Sequence, residues 1–170
     1  IKTISALGAY AASAITAITV QNTCGVTGIH PIPPSYVKEQ IEAVMTDIRP
    51  RAVKIGMIND VEIVQVIAAS LKKFKPEFVV FDPVMVSTSG CKLMEDDAIE
   101  AITTLLMPLA SIITPNLSET EVLAGKQIRN IEMMKTASRE LLNYGCRAVL
   151  VKGGHLEDGN MCDVLQLKDE

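Results

Sequence analysis

The segment Phe78-Val79-Val80-Phe81-Asp82-Pro83-Val84 decides the fold. Four apolar residues run without a polar break and stop at an acid followed by proline. A short, continuous run of this kind reads as a strand buried on both faces of a parallel sheet. Val149-Leu150-Val151 repeats the pattern and stops at Lys152-Gly153-Gly154. Outward from these two runs, strands are predicted over Ala14–Val20, Ala52–Ile55, Phe78–Phe81, Ser111–Thr114, Ala148–Val151 and Asp163–Leu167. Helical patterns fill the gaps. Pro34–Ile48 carries Val37, Ile41, Val44 and Ile48 on one stripe, with Pro34 suited to the first turn. Asp60–Lys73 carries Val61, Val64, Ile67, Ala68 and Leu71, and places Lys72 and Lys73 where cations favour the helix dipole. Glu95–Leu106, Ser118–Leu123 and Asn130–Tyr144 are the remaining helices. Ser118 and Glu121 have capping-box spacing, and Gly145 suits a helix end. Strands alternating with helices predict an α/β fold: a mostly parallel sheet flanked by helices on both faces.

Composition agrees and excludes other classes. The chain has 170 residues, 48% hydrophobic and 21% charged, which is enough apolar material for one core. A single domain over 1–170 is therefore expected. The net charge is -4, with three Tyr, three Phe and no Trp. That balance argues against nucleic-acid binding, which needs a basic footprint. No apolar run is long enough to cross a membrane. The stretch from Ala9 to Val20 is broken by Ser13, Thr16 and Thr19 and lacks a basic leader, so it is not read as a signal peptide. Cys24, Cys91, Cys146 and Cys162 form no CxxC pair, which reads as reduced thiols in a cytoplasmic protein. The chain begins at Ile1, and Lys2–Leu7 reads as the end of a helix with no strand before it. Both features read as a missing N-terminal part.

Open α/β sheets bind ligands beyond the carboxyl ends of their strands. The residues after the predicted strands are Gln21-Asn22-Thr23, Gly56-Met57, Asp82-Pro83-Val84, Pro115-Asn116-Leu117-Ser118-Glu119 and Lys152-Gly153-Gly154-His155. If the sheet is parallel, all lie on one edge. Two carboxylates there suit Mg²⁺, which takes few protein oxygens and keeps several waters. A lysine neutralises phosphate charge, and a glycine pair lets backbone N–H groups approach an anion. The set suits phosphoryl transfer, which depends on positioning and charge neutralisation. Each residue also has a plain reading. Asp82 before a proline is an ordinary turn residue, Glu119 an ordinary first-turn acid, and Lys152 a solvated strand end. Met57 reads equally as core, and Gln21 as a strand cap. His30 and His155 have no third ligand at metal spacing. Ser87–Cys91 is either a plain loop or a lid. There is no Walker A pattern and no GxGxxG.

The motifs together resemble a known family. Ser5-Ala6-Leu7-Gly8-Ala9-Tyr10, Gln21-Asn22-Thr23 with Gly25-Val26, and Lys54-Ile55-Gly56-Met57 come first. Asp82-Pro83-Val84-Met85, Ser89-Gly90, Thr114-Pro115-Asn116-Leu117-x-Glu119 and Lys152-Gly153-Gly154-His155 follow in order. The set resembles hydroxymethylpyrimidine kinase / hydroxymethylpyrimidine-phosphate kinase of thiamin biosynthesis, in the ribokinase-like superfamily.

The resemblance implies ATP- and Mg²⁺-dependent phosphorylation of hydroxymethylpyrimidine and then of its monophosphate. It implies Gln21 hydrogen-bonding the pyrimidine, and Met57 and Val84 packing around the ring. It implies Asp82 near the metal and phosphates, Asn116 and Glu119 at the Mg²⁺–phosphate region with Glu119 a second metal residue, and Lys152 near the nucleotide phosphates. It further implies a homodimer. Family members begin with a strand and a glycine-rich segment, and continue to a Gly-Thr-Gly segment that carries the anion hole and the catalytic base. This sequence matches neither, so it is expected to be incomplete and inactive alone. Two other readings stay open: a pyridoxal/pyridoxine kinase of the same superfamily, and a non-catalytic pyrimidine-binding or interaction fragment.

Overall fold

A computed structural model describes residues 1–58, 60–85, 96–154 and 161–168. The chain divides into two compact units, Ile1–Pro50 and Arg51–Glu170.

The first unit holds α1 (Lys2–Ala6), β1 (Ala17–Asn22), β2 (Gly25–Pro31) and α2 (Pro34–Asp47). Here the expectation of a first parallel strand over Ala14–Val20 is corrected. β1 starts later and pairs antiparallel with β2 in a two-stranded sheet of its own. The cause is the turn between them. The Asn22 side-chain oxygen accepts from the N–H groups of Cys24 at 2.8 Å and Gly25 at 3.2 Å, reversing the chain at once. The Gln40 side chain ties α2 to the approach to β1, accepting from Ile15 N at 2.8 Å and donating to Ile15 O at 3.0 Å. Of the predicted stripe on α2, Val37 is fully buried and Ile48 is exposed. The predicted Pro34 start holds.

The second unit holds β3 (Ala52–Ile55), α3 (Val61–Phe74), β4 (Phe78–Phe81), α4 (Asp96–Ala101), β5 (Ile112–Ile113), α5 (Leu117–Ala124), α6 (Ile131–Leu141), β6 (Ala148–Val151) and β7 (Val164–Leu167). The sheet runs β3-β4-β5-β6-β7. The first four strands are parallel, and β7 returns antiparallel to β6. Three of its strands have the predicted bounds, and the mostly parallel sheet flanked by helices is present.

Local chemistry explains the helix ends. The Asp60 carboxylate caps α3 by accepting from Glu62 N at 2.7 Å and Ile63 N at 3.2 Å. Lys72 and Lys73 sit in its last turn as expected. α4 passes through a π turn at Ile102–Leu106 and a 3₁₀ turn at Met107–Leu109. α6 is capped by the Asn130 side chain and tightens into a 3₁₀ turn before Gly145, whose φ is 95°.

The core lies on one side of the sheet. Ile55, Phe81, Ile113, Val149 and Val151 are buried, as are Ile63, Val64, Ile67 and Leu71 of α3 and Met134, Ala137 and Leu141 of α6. The alternate residues Val80, Ile112 and Leu150 are only half-buried. The continuous apolar runs thus conceal a difference between the two faces.

Candidate functional site

Register sets the site. Lys54 pairs with Val80, Val80 with Ile112, and Ile113 with Val149. Paired residues of parallel strands point to the same face, and every second residue returns to it. Lys54, Asp82, Thr114 and Lys152 therefore share the half-buried face at the carboxyl edge. Asp82 N–H continues the ladder to Ile55 O at 2.9 Å, and Thr114 N–H to Phe81 O at 2.9 Å. Lys152 N–H reaches Pro115 O at 2.9 Å, and Asn116 and Lys152 form a parallel bridge.

Asp82 is the centre of this face. Lys152 Nζ donates to Oδ1 at 2.9 Å, and Thr114 Oγ1 donates to the same oxygen at 3.2 Å. Lys54 Nζ lies 3.4 Å from Oδ2. Partial burial acts to raise the pKa of Asp82. Lys152, Lys54 and Thr114 outweigh it and hold the carboxyl below its ordinary value of 3.8.

Glu119 is held differently. It is 2% exposed. Asn116 N–H donates to Glu119 Oε2 at 2.8 Å, and Glu119 N–H donates to Asn116 Oδ1 at 2.9 Å. This reciprocal pair is the capping box of α5. The expected Ser118–Glu121 box is corrected, because α5 begins at Leu117 and its cap is Asn116. Ser118 faces solvent in the first turn, while Glu121 accepts from Ile128 N–H at 2.7 Å. Glu119 also accepts from the backbone N–H of Met85, which ties the residues after β4 to α5. Burial pushes its carboxyl above the ordinary 4.5; the amide bonds and Lys152 pull the other way, while nearby Asp82 adds to the rise.

Of the glycine pair after β6, the first is already engaged within the chain. Gly153 N–H is already bonded to Asp163 Oδ1 at 3.0 Å. A Cβ on Gly153 would stand 1.9 Å from the Cys162 carbonyl oxygen, so glycine is required by close backbone packing. Gly154 is exposed, with open space around it. Met57 and Val84, after β3 and β4, are half-buried. Gln21 lies within β1 and not beyond it, is exposed, and sits where the ladder to β2 shifts register. His30 lies exposed on β2. The Ser87–Cys91 loop and His155 fall outside the described residues.

Several residues were missed in the sequence. Lys54 is a charge inside an otherwise apolar strand, and that anomaly was the available signal. In the sequence Thr114 reads only as a strand end, and Asp163 only as a strand start. No local pattern shows that Met85 lends its N–H to Glu119.

The donor set can be tested for a divalent cation. Among the described residues no three His, Cys, Asp or Glu side chains gather at metal-binding distance. Among the described residues Asp82 Oδ1 accepts two bonds, whereas Oδ2 has one looser contact, to a lysine whose side chain is 56% exposed. Glu119 is spent on backbone amides. The set fits Mg²⁺ held through Asp82 Oδ2 and completed by water and phosphate. Glu119 fits as a charge nearby and a holder of the loop.

A sheet of this order, with its charged side chains gathered at the carboxyl edge, is a ribokinase-like α/β domain. Solved structures agree. The chain is 48% identical to a phosphomethylpyrimidine kinase from Clostridium difficile, with a TM-score of 0.92 over 99% of this chain and 73% of that one. It is 29% identical to a pyridoxal kinase from Staphylococcus aureus solved in complex with pyridoxal, with a TM-score of 0.87 over 98% of this chain and 61% of that one.

The chain belongs to the phosphomethylpyrimidine kinase family, whose model matches residues 1–170. It is 44% identical to a hydroxymethylpyrimidine/phosphomethylpyrimidine kinase of Salmonella typhimurium, over 97% of this chain and 62% of that protein. It is likewise 44% identical to a thiamine biosynthesis bifunctional protein of Geobacter sulfurreducens, over 97% of this chain and 34% of that protein. The chain thus spans between a third and just under two thirds of the length of these curated relatives. Among the described residues no helix is long and apolar enough to cross a membrane.

Proposed function

We propose that this chain forms part of a small-molecule kinase that phosphorylates hydroxymethylpyrimidine and then its monophosphate, with ATP as phosphoryl donor. Family membership motivates the reaction. The observation that carries it is Asp82 seated between Lys54 and Lys152 at the carboxyl edge of the sheet. Phosphoryl transfer asks mainly for such fixed charge.

In this reading Asp82 holds Mg²⁺, and the ion supplies neutralisation of phosphate charge. Lys152 meets the nucleotide phosphates. Asn116 and Glu119 keep the ends of β4 and β5 in place at the metal–phosphate region. Met57 and Val84 form apolar walls for the pyrimidine, and the Gln21 amide reads its polar edge. The reading carries with it a homodimer and a cytoplasmic setting; light scattering of the full-length protein checks the first.

The test is pyrimidine-dependent ADP release by the full-length protein with ATP and Mg²⁺. Asp82→Asn is expected to lower kcat at least about 100-fold, the scale of losing one fixed electrostatic group. No ADP release from the unaltered protein would sink the proposal. Gln21→Ala should cost pyrimidine use about 1–3 kcal/mol in kcat/KM.

A second reading is a pyridoxal kinase, favoured by the likeness to the Staphylococcus aureus enzyme. The ratio of kcat/KM values for the two substrates decides between them.

A further inference from the structure

Among the described residues, Lys54 is the charged member of the Asp82 group to which neither strand-end reasoning nor the family resemblance assigns a role. Its position is not incidental. β3 is Ala52-Val53-Lys54-Ile55, and Lys54 occupies the face whose partner residues lead to Asp82. Its ammonium lies 3.4 Å from Asp82 Oδ2. The side chain turns back over Gly56, where a Cβ would stand 3.4 Å from Nζ. Lys152 and Thr114 crowd the other oxygen, Oδ1.

The two lysines therefore differ in kind. Lys152 makes the shorter contact, to an oxygen that a hydroxyl also holds. Lys54 makes the longer contact, to the oxygen that remains for a cation. An ammonium and a divalent ion cannot occupy one lone-pair position together, and like charges repel at close range.

We infer that Lys54 is a positioning residue that contends with a divalent cation for Asp82 Oδ2, and so sets how tightly the edge takes its metal. This rests on the reading of Asp82 as the metal-holding carboxylate. Lys54 weakens capture of a free ion. A metal that arrives with phosphate displaces the ammonium onto phosphate oxygen, so the loss is compensated when nucleotide is present. The residue thereby favours metal–nucleotide over bare metal.

The experiment titrates Mn²⁺, as a paramagnetic probe, into the full-length protein with and without ADP. Wild type, Lys54→Met, Lys54→Arg and Asp82→Asn are compared. Without ADP, Lys54→Met should bind Mn²⁺ about fivefold more tightly, the scale of removing one partly exposed ion pair. Lys54→Arg should stay near wild type. With ADP the advantage of Lys54→Met should vanish or reverse. If Lys54→Met does not fold, Lys54→Gln carries the same test. Unchanged or weaker Mn²⁺ binding in the neutral variant, with binding lost in Asp82→Asn, would overturn this inference alone. Binding that survives Asp82→Asn unaltered, or no Mn²⁺ binding to any variant, would overturn the metal reading of Asp82 and this inference with it.

Discussion

The end of β4 and the first turn of α5 each carry one carboxylate, and the two are held in opposite ways. Asp82 is partly exposed and bonded to side chains: two ammonium groups and a hydroxyl. Glu119 is buried and bonded to backbone amides of Asn116 and Met85. Side chains can move aside for a ligand, whereas backbone amides of a helix start cannot. The difference separates a carboxylate that can exchange partners from one that shapes the edge. Their acidities shift in opposite directions for the same reason. Cations stabilise the charge on Asp82, and burial penalises the charge on Glu119.

The largest expected effect falls beside both carboxylates, on the strand end that carries Lys152. Gly153→Ala places a methyl 1.9 Å from the Cys162 carbonyl, so the backbone after Lys152 must shift. A loss of about 3 kcal/mol or more is expected in urea unfolding. Glu119→Ala comes next. It leaves the amides of Asn116 and Met85 without their acceptor, at a cost of about 2–3 kcal/mol. Asp82→Asn should cost less than about 1 kcal/mol of stability, since its partners are partly exposed and solvent screens them. In about 1 M salt the Asp82 effect should shrink further while the Glu119 effect persists. Equal losses for the two variants would erase the distinction.

The pH dependence sharpens it. Asp82 has a folded value below 3.8, so its contribution is present above 3.8 and is lost as pH falls through the lowered value. Glu119 has a folded value above 4.5, so the folded state holds its proton longer than the unfolded chain does. Its contribution is present below 4.5 and lost as pH rises through the raised value. Urea midpoints between about pH 3 and 7 should show Asp82→Asn removing part of the acid-side fall. Glu119→Gln should remove part of the decline above 4.5. Matching pH profiles for the two variants would contradict the assignments.

Much of this edge was legible beforehand, because strands announce themselves through continuous apolar runs. Phe78–Phe81 and Ala148–Val151 needed only local composition, and their ends placed Asp82 and Lys152 correctly. Hairpin pairing was not legible. The run before Gln21 is as apolar as a parallel strand, and the Asn22 turn that folds it onto Gly25–Pro31 depends on a single side chain. The box at Asn116 was hidden by a competing spacing at Ser118, since either start satisfies the same sequence rule. Lys54 was passed over because a charge in a strand says nothing of its partner until the neighbouring register is known.

By itself the sequence determined the alternating elements, the parallel sheet and the carboxylates and lysine at its edge. Periodicity and strand length are local properties, written in adjacent residues. Only the tertiary structure decided which groups face one another. Lys54 and Asp82 are 28 residues apart, and Lys152 and Asp82 are 70 apart. Register between strands brings them onto one face. Gly153 gained its meaning only when the carbonyl of Cys162 was found against it. Contacts across such separations arise from packing, which no local pattern encodes.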